Sequence, residues 1–154
     1  MSKITKISNK GLSLIKEYEG FRSKPYLCPA GVPTIGYGST RYLDGTKVTL
    51  KDLPLTEEGA SVLLLDTLSS YERAVDSLCT DELTQNQFDA LVSFTYNLGE
   101  ASLRSSKLLS MVNNNHNNPA IRDELVKWIY SKGKVLDGLK RRREAEAKLY
   151  FDES

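Results

Sequence analysis

Residues 19–38 read EGFRSKPYLCPAGVPTIGYG, and their pattern differs from that of the chain on either side. Prolines and glycines crowd together here with short β-prone runs, which predicts tight turns between short strands. Asp44 and Gly45 follow between two further β-prone runs, 41–43 and 46–49, which is a strong hairpin signal. A small antiparallel sheet of two or three strands is therefore predicted within this part of the chain.

Helices are predicted before and after this sheet. Residues 9–20 repeat apolar side chains at helical spacing, with Asn9 as a candidate cap and Gly20 at the end. Residues 56–79 continue one apolar stripe after Thr56, whose side-chain oxygen is a good N-cap. The sequence therefore predicts a short first helix and a long second one.

Four more helices are predicted beyond residue 80. Thr84 and Gln87 form a capping-box pattern ahead of an apolar helix that ends at Gly99. Three further helices are predicted over residues 103–112, from Asn118 to Gly133, and over residues 138–150. The last of these helices is rich in basic residues.

The order of these elements defines an α+β fold. A chain of 154 residues makes one ordinary domain, so we predict a single domain over residues 1–154. A helix and sheet lobe is expected over about residues 1–55 and a helical lobe over about residues 80–154. The long helix, about residues 56–79, would join the two lobes, with a cleft between them.

Composition and charge exclude several classes of protein. Hydrophobic residues make up 40% and charged residues 27% of the chain, which is typical of a soluble globular protein. No apolar run approaches the ~20 residues of a spanning helix, and no secretory signal is visible. The net charge of the whole chain is +1, but it is unevenly distributed: residues 1–50 carry a net charge of +5, residues 51–100 carry −8, and residues 101–154 carry +4. The basic cluster at residues 141–143 is therefore weak evidence for nucleic-acid binding.

Residues that hold metals or form disulfides are sparse. The chain has two cysteines, Cys28 and Cys79, and one histidine, His116, in an asparagine-rich run. Two isolated cysteines match no metal-site spacing, and in a cytoplasm both stay reduced. We therefore predict two free thiols, with Cys79 in the core, and no metal or cofactor.

Three side chains in or next to the predicted sheet have chemistry suited to catalysis. Glu19 closes the first helix between two aromatic residues, where shielding would favour the protonated form that a general acid requires. The alternative is a surface glutamate paired with Arg22. Cys28 supplies a thiol and Thr34 a hydroxyl that can position water, and the alternative is that both are small buried strand residues. The residues alone leave these alternatives open.

The order and spacing of these side chains resemble the phage-type lysozymes (endolysins) of glycoside hydrolase family 24. Cys28 lies nine residues after Glu19, and Thr34 lies six residues after Cys28, ahead of a Gly-Tyr-Gly strand. A chance match to all of the family's motifs in order is not credible. The further motifs are LTEE at residues 55–58, LTQNQFDALVSF with YNLG at residues 83–99, and Trp128 with Gly133, Gly138, Arg142, Arg143 and Glu146.

The resemblance implies a lysozyme-like fold and a muramidase. Such enzymes hydrolyse the β-1,4 bond between N-acetylmuramic acid and N-acetylglucosamine in peptidoglycan, which lyses the host cell. Glu19 matches the family's general acid, and Thr34 matches the residue that helps to hold the attacking water. Cys28 matches a position that holds aspartate or cysteine, where it supplies charge as a thiolate, acts as a nucleophile or shapes the water site. Hydrolysis with inversion and hydrolysis with retention of configuration at the anomeric carbon both stay open.

The resemblance also implies substrate-binding residues. Tyr96 and Asn97 match positions at the cleft, where a ring packs on a sugar and an amide bonds an N-acetyl group. Their alternative is the C-terminal turn of a core helix. Arg142 is a third implied substrate-binding residue, and it is a candidate partner of Glu19.

Two other functions fit the same sequence. One is a catalytically silent glycan-binding module with a lysozyme-like fold, and the other is a lytic transglycosylase. For the leading hypothesis, the resemblance implies a monomer that is held in the host cytoplasm, released by a separate membrane-pore protein (a holin), and active on the cell wall in the periplasm. Neither a nucleic-acid nor a membrane partner is expected.

Overall fold

The computed structural model describes residues 3–153, and Met1, Ser2 and Ser154 of the predicted single domain lie outside the described residues. The described chain is mainly helical, with two short antiparallel hairpins. Its helices are α1 (Asn9–Glu19), α2 (Glu57–Leu78), α3 (Gln85–Leu98), α4 (Glu100–Arg104), α5 (Lys107–Asn114), α6 (Ile121–Leu125) and α7 (Asp137–Tyr150). Its strands are β1 (Arg22–Leu27), β2 (Pro33–Gly36), β3 (Tyr130–Ser131) and β4 (Lys134–Val135).

The chain forms two compact units. The hairpin unit spans residues 16–69 and holds the end of α1, the β1–β2 hairpin and the first part of α2. The helical unit holds the residues up to Ile15 and those from Ser70 onward. Both α1 and α2 therefore contribute to both units, whereas the sequence predicted lobe boundaries near residues 55 and 80.

In the hairpin unit, β1 and β2 form the predicted small antiparallel sheet, with two strands. Tyr26 pairs with Thr34 across the two strands, and the register shifts between Tyr26 and Arg22. Apolar side chains from β2 and α2 share one core, which holds the hairpin on α2. This core consists of Ile35, Val48 and Leu63, with Tyr42 and Leu55 packed against it.

Residues 41–49 form a loop where two strands were predicted. A single bridge joins Arg41 to Lys47, and Gly45, with a φ of +87°, completes the predicted turn. The Asp44 carboxylate accepts hydrogen bonds from the backbone nitrogen and the hydroxyl of Thr46 at 2.9 and 2.6 Å. Because such local bonds compete with a strand ladder, the turn forms but the strands do not.

In the helical unit, α3 is buried through its middle and packs against α7. Its predicted capping box is present. The Gln87 backbone nitrogen donates to Thr84 Oγ1 at 3.1 Å, and the Thr84 backbone nitrogen donates to Gln87 Oε1 at 3.0 Å. The helix ends before Gly99, as predicted.

Two buried carboxylates hold the N-terminal segment in the helical unit. The backbone nitrogen of Ile7 donates to Glu72 at 2.7 Å, and both the backbone nitrogen and the hydroxyl of Ser8 donate to Asp89. Gly11 of α1 lies directly on Asp89, because a Cβ added at Gly11 would be 2.6 Å from Asp89 Cβ. The first helix therefore reaches α3 only because residue 11 has no side chain.

Two of the predicted helices are wrong in extent. The helix predicted over residues 103–112 is divided, because Ser106 caps α5 by accepting from the Leu109 backbone nitrogen at 3.0 Å. The helix predicted from Asn118 to Gly133 stops at Leu125. Beyond it, Lys132 and Gly133 have φ values of +51° and +80°, which suit the turn of the β3–β4 hairpin and cannot continue a helix.

Candidate active site

Glu19 is the last residue of α1, and its side chain is half-buried. Gly20 turns the chain away with a φ of +73°, and its N–H group donates to the Lys16 carbonyl at 2.9 Å. The carboxylate of Glu57, at the start of α2, accepts hydrogen bonds from the Tyr37 hydroxyl at 2.8 Å and from the Lys16 ammonium at 3.4 Å. These bonds fix the last turn of α1, and so the position of Glu19, within the hairpin unit.

Cys28 lies where β1 ends and the chain turns into β2. Its backbone nitrogen donates to the Val32 carbonyl at 3.1 Å, and its carbonyl accepts from the Gly31 nitrogen at 2.8 Å. The thiol also faces hydrogen-bond donors. The backbone N–H of Val32 contributes most to a lowered pKa of Cys28, followed by that of Ala30, with a further bond from the Thr34 hydroxyl.

Thr34 lies in β2 and is only 3% exposed. Its hydroxyl donates to the Val32 carbonyl at 2.9 Å, and it also contributes to the lowered pKa of Cys28. A hydroxyl carries a single hydrogen, so Thr34 can donate to the carbonyl or to the sulfur at one time. The third predicted catalytic residue thus influences the ionisation of the second.

Tyr26 is a residue of this site that the sequence reasoning did not single out. It pairs with Thr34 across the hairpin, so the two side chains share a face. The Arg22 guanidinium lies 4.2 Å from the centre of its ring. Burial raises the pKa of Tyr26, Arg22 opposes this rise, and the charges of Glu19 and Cys28 add to it. Tyr26 is therefore paired with Thr34 and responds to the charges of the other two predicted catalytic residues.

Tyr96 and Asn97 lie in the last turn of α3 in the helical unit, and both are half-buried. The Tyr96 ring packs edge-on against Tyr71, with the ring centres 5.2 Å apart. The Asn97 side-chain oxygen accepts a hydrogen bond from Arg143 Nη2 at 2.6 Å. Both side chains thus have contacts within the helical unit, and their role in glycan binding stays a prediction.

A buried ionic network joins α3 to α7. The Glu146 carboxylate is fully buried and accepts from the Ser93 hydroxyl at 2.5 Å and from Arg142 Nε at 3.3 Å, while Arg143 Nε lies 2.8 Å from its other oxygen. Burial raises the pKa of Glu146, and Arg143 and Arg142 act against this rise. Arg142 is 3% exposed and also donates to the Ser93 carbonyl at 3.1 Å. Its substrate-binding role stays a prediction.

The cysteines are free thiols, as predicted. Cys79 is in the core, also as predicted, and burial raises its pKa to about 12. Across residues 3–153, no three His, Cys, Asp or Glu side chains are grouped so that they could hold a metal ion. Within the same residues, no helix has the length and apolar character needed to cross a membrane.

Solved structures of high similarity define the class of protein. An endolysin from Escherichia coli O157:H7 phage FAHEc1 has a TM-score of 0.86 and 37% identity, covering 97% of this chain and 95% of that one. The muramidase domain of SpmX from Asticaccaulis excentricus has a TM-score of 0.82 and 35% identity, covering 96% and 98%. The chain has the predicted lysozyme-like α+β fold and is a glycoside hydrolase of the muramidase class.

The chain belongs to the phage lysozyme family, whose model matches residues 16–146. It is 42% identical to an endolysin of Bacillus phage B103, over 94% of this chain and 54% of that protein. It is 39% identical to an endolysin of Acyrthosiphon pisum secondary endosymbiont phage 1, over 94% and 97%. The chain thus spans about half the length of the first relative and nearly all of the second. The predicted family and endolysin class are confirmed.

Proposed function

We propose that this chain hydrolyses the β-1,4 bond between N-acetylmuramic acid and N-acetylglucosamine in bacterial peptidoglycan, with Glu19 as the general acid. The observation that carries the proposal is the placement of all three candidates in the hairpin unit, with Glu19 at the end of α1, Cys28 at the end of β1 and Thr34 in β2. Glycoside hydrolysis requires a proton donor for the leaving oxygen and a second group that handles the water or the developing positive charge. The chain offers both kinds of group on one hairpin unit.

In the proposed reaction, Glu19 donates its proton to the glycosidic oxygen as the bond from that oxygen to the anomeric carbon breaks. The sugar passes through an oxocarbenium-like transition state. A water molecule held by Thr34 adds its oxygen to the anomeric carbon and releases one proton to solvent, and the Glu19 carboxylate takes up a proton from solvent to restore the acid. The products are two shorter strands, one of which ends in a new reducing sugar.

Cys28 is proposed to hold the water and to supply negative charge rather than to form a covalent bond. The backbone N–H groups that lower its pKa also make a thiolate easier to form. A thiolate at this position offers the charge that a carboxylate offers in relatives with aspartate. Cysteine-specific covalent chemistry is the competing role, and it would lead to retention of configuration.

Tyr96, Asn97 and Arg142 are proposed to contribute to glycan binding. Tyr96 offers a ring surface and Asn97 an amide, and both are half-buried. Arg142 is nearly fully buried, so we assign it an indirect part, in which its bonds to Ser93 and Glu146 support the end of α3.

The place where the chain acts, and its route to that place, are proposed from its similarity to endolysins. The chain acts on the peptidoglycan of the cell wall. We propose that it is a monomer, that it is held in the host cytoplasm until lysis, and that a holin opens its path to the wall. The chain does not need a cofactor, a nucleic acid or a membrane partner in this scheme.

Analysis of the products of purified peptidoglycan tests this proposal. Hydrolysis adds one water to each cleaved bond, so mass spectrometry should detect fragments with reducing ends. Anhydro sugar ends would instead identify a lytic transglycosylase. Binding to the glycan without any cleavage would identify a catalytically silent module.

A further inference from the structure

Lys16 lies one turn before Glu19 on α1, at a spacing where side chains of opposite charge can pair along a helix. Such a pair would place an ammonium group beside the proposed acid. A neighbouring positive charge favours the carboxylate over the protonated form, whereas a general acid must carry its proton at the working pH. The direction that the Lys16 side chain takes therefore bears on the chemistry of Glu19.

The Lys16 side chain is directed to two other groups. Its ammonium nitrogen lies 3.4 Å from Glu57 Oε2 and 5.4 Å from the centre of the Tyr37 ring. Across residues 3–153, Lys16 forms no ion pair with Glu19. A carboxylate and an aromatic face both attract an ammonium group, so these two partners hold the charge of Lys16 between them.

Tyr37 is itself held from several sides. It is 7% exposed, its hydroxyl donates to Glu57 Oε2 at 2.8 Å, and its ring packs against Phe21 with the ring centres 5.7 Å apart. The residues before and after it, Gly36 and Gly38, have φ values of +68° and +96°, which glycine adopts most readily. The Gly-Tyr-Gly motif thus fixes the ring that receives the ammonium group.

Glu57 presents a negative charge to Lys16. Its carboxylate also accepts a hydrogen bond from the Ser61 hydroxyl at 2.7 Å, and this bond contributes most to a lowered pKa of Glu57, followed by the bond from Tyr37. Burial and the bond to Glu57 raise the pKa of Tyr37, so the phenol stays a neutral donor. The ammonium group of Lys16 therefore meets an ionised carboxylate.

We propose that Tyr37 and Glu57 are positioning residues that hold the ammonium group of Lys16 away from Glu19, so that the general acid keeps its proton. This inference rests on the proposed function and adds the means by which the acid is kept in its active form. Without these two partners, the ammonium group could pair with Glu19 three residues along the helix. The Glu19 carboxyl would then lose its proton at a lower pH.

Three other titratable groups of the hairpin unit bear on Glu19. Burial raises the pKa of Tyr26 on β1, and the charges of Arg22, Glu19 and Cys28 also act on it. The comparisons below leave these groups and all groups of the helical unit unchanged. A difference between variants therefore reports the charges of Lys16 and Glu57.

The titration of Glu19 in the free chain tests the proposal. Carbon NMR of a chain labelled at its glutamate carboxyls follows each group with pH, and the signal that Glu19→Gln removes is that of Glu19. Glu57→Gln removes the charge that holds Lys16, so we expect the titration midpoint of Glu19 to fall by about half a pH unit. Glu58→Gln is the matched control, because it removes an equal charge from the same turn of α2, and its effect should be much smaller.

Further substitutions identify the groups responsible. Lys16→Met keeps an apolar stem but removes the ammonium group, so adding it to Glu57→Gln should return the midpoint of Glu19 to the wild-type value. Tyr37→Leu removes the ring and should also lower the midpoint, whereas Tyr37→Phe keeps the ring and should lower it less. Thermal melts check the folding of each variant. If Tyr37→Leu does not fold, the Glu57 and Lys16 variants decide.

The pH dependence of kcat/KM gives a second measurement. Its high-pH limb, where a general acid loses its proton, should move down in Glu57→Gln and return when Lys16→Met is added. The proposal would be overturned by a Glu19 midpoint that does not move in folded Glu57→Gln, that moves equally in Glu58→Gln, or that Lys16→Met does not restore. Because the NMR titration needs no substrate, failure of the wild-type chain to cleave any glycan would instead overturn the proposed function.

Discussion

The Thr34 hydroxyl in β2 helps to lower the pKa of the Cys28 thiol at the end of β1. The hydroxyl of Thr34 donates to the Val32 carbonyl at 2.9 Å, and the same hydroxyl stabilises the Cys28 thiolate. With only one hydrogen to give, Thr34 can donate to the Val32 carbonyl or to the sulfur of an ionised Cys28, but not to both at once. The protonation of Cys28 is therefore linked to the orientation of the residue that we propose holds the attacking water.

Removing the acid should abolish lysis without unfolding the chain. Glu19→Gln keeps the size of the side chain but cannot donate the catalytic proton. We expect the rate of wall clearing to fall by a factor of about 10² to 10⁴, with an unchanged thermal midpoint. Glu17→Gln is the matched control on the exposed side of the same helix. Wall clearing by Glu19→Gln at close to the wild-type rate would contradict the assignment.

Substitutions of Cys28 distinguish its possible roles. Cys28→Asp should keep activity, because a carboxylate restores the other residue found at this position in the family. Cys28→Ala should lose most of it. The measurement is the lysis rate, with folding checked by thermal melts. A folded but inactive Cys28→Asp would indicate a cysteine-specific covalent step, whereas a fully active Cys28→Ala would show that this second group is dispensable.

The two thiols should differ in reactivity in the native state. The lowered pKa of Cys28 gives more thiolate at a given pH, whereas Cys79 is buried and its pKa is raised to about 12. Iodoacetamide should therefore add once, at Cys28, and block lysis. Thr34→Val removes the hydroxyl bond, so the pH midpoint of alkylation should move upward, and Thr34→Ser should restore it. Equal midpoints for the Val and Ser variants would argue against the hydroxyl bond.

Glycine substitutions test the packing of α1 on α3. Gly11→Ala places a methyl group 2.6 Å from Asp89 Cβ, so we expect a loss of about 1–3 kcal/mol in the free energy of unfolding. Gly138→Ala is the control, because nothing lies within 4 Å of the added carbon in α7. That variant should be as stable as the wild type or more stable. Denaturant unfolding of both variants measures the difference, and equal stabilities would contradict the close approach of α1.

Acid should weaken the hairpin unit through Asp52. Its carboxylate accepts hydrogen bonds from the hydroxyl and backbone nitrogen of Thr49 at 2.6 and 2.8 Å and from the Tyr42 hydroxyl at 2.7 Å, and these bonds lower its pKa. A carboxyl with a lowered folded-state pKa contributes stability above its unfolded-state pKa and loses it as the pH falls through the folded-state value. Thermal melts of Asp52→Asn should therefore depend less on pH below about pH 4. Asp66→Asn, at an exposed carboxylate of the same unit, should retain the wild-type dependence.

Much of the local structure could be predicted because it depends on residues close together in the chain. The capping box joins Thr84 to Gln87 three residues away, and the turn at Gly45 requires only a residue that tolerates a positive φ. The helix predicted from apolar spacing was wrong between Leu125 and Gly133, where the backbone forms a hairpin. Apolar spacing over so few residues fits more than one element.

The sequence by itself determined the order of the candidate catalytic side chains, the family and the helix ends that carry Glu19 and Asn97. Only the tertiary structure decided which groups meet: Tyr26 opposite Thr34 in the hairpin, and Arg143 against an amide 46 positions earlier in the chain. Hydrogen-bond polarity and pKa depend on atoms within a few ångströms, and packing between distant segments sets those distances. No periodicity in the sequence encodes them, so the bond from Arg143 to the Asn97 oxygen and the lowered pKa of Cys28 became visible only in the folded chain.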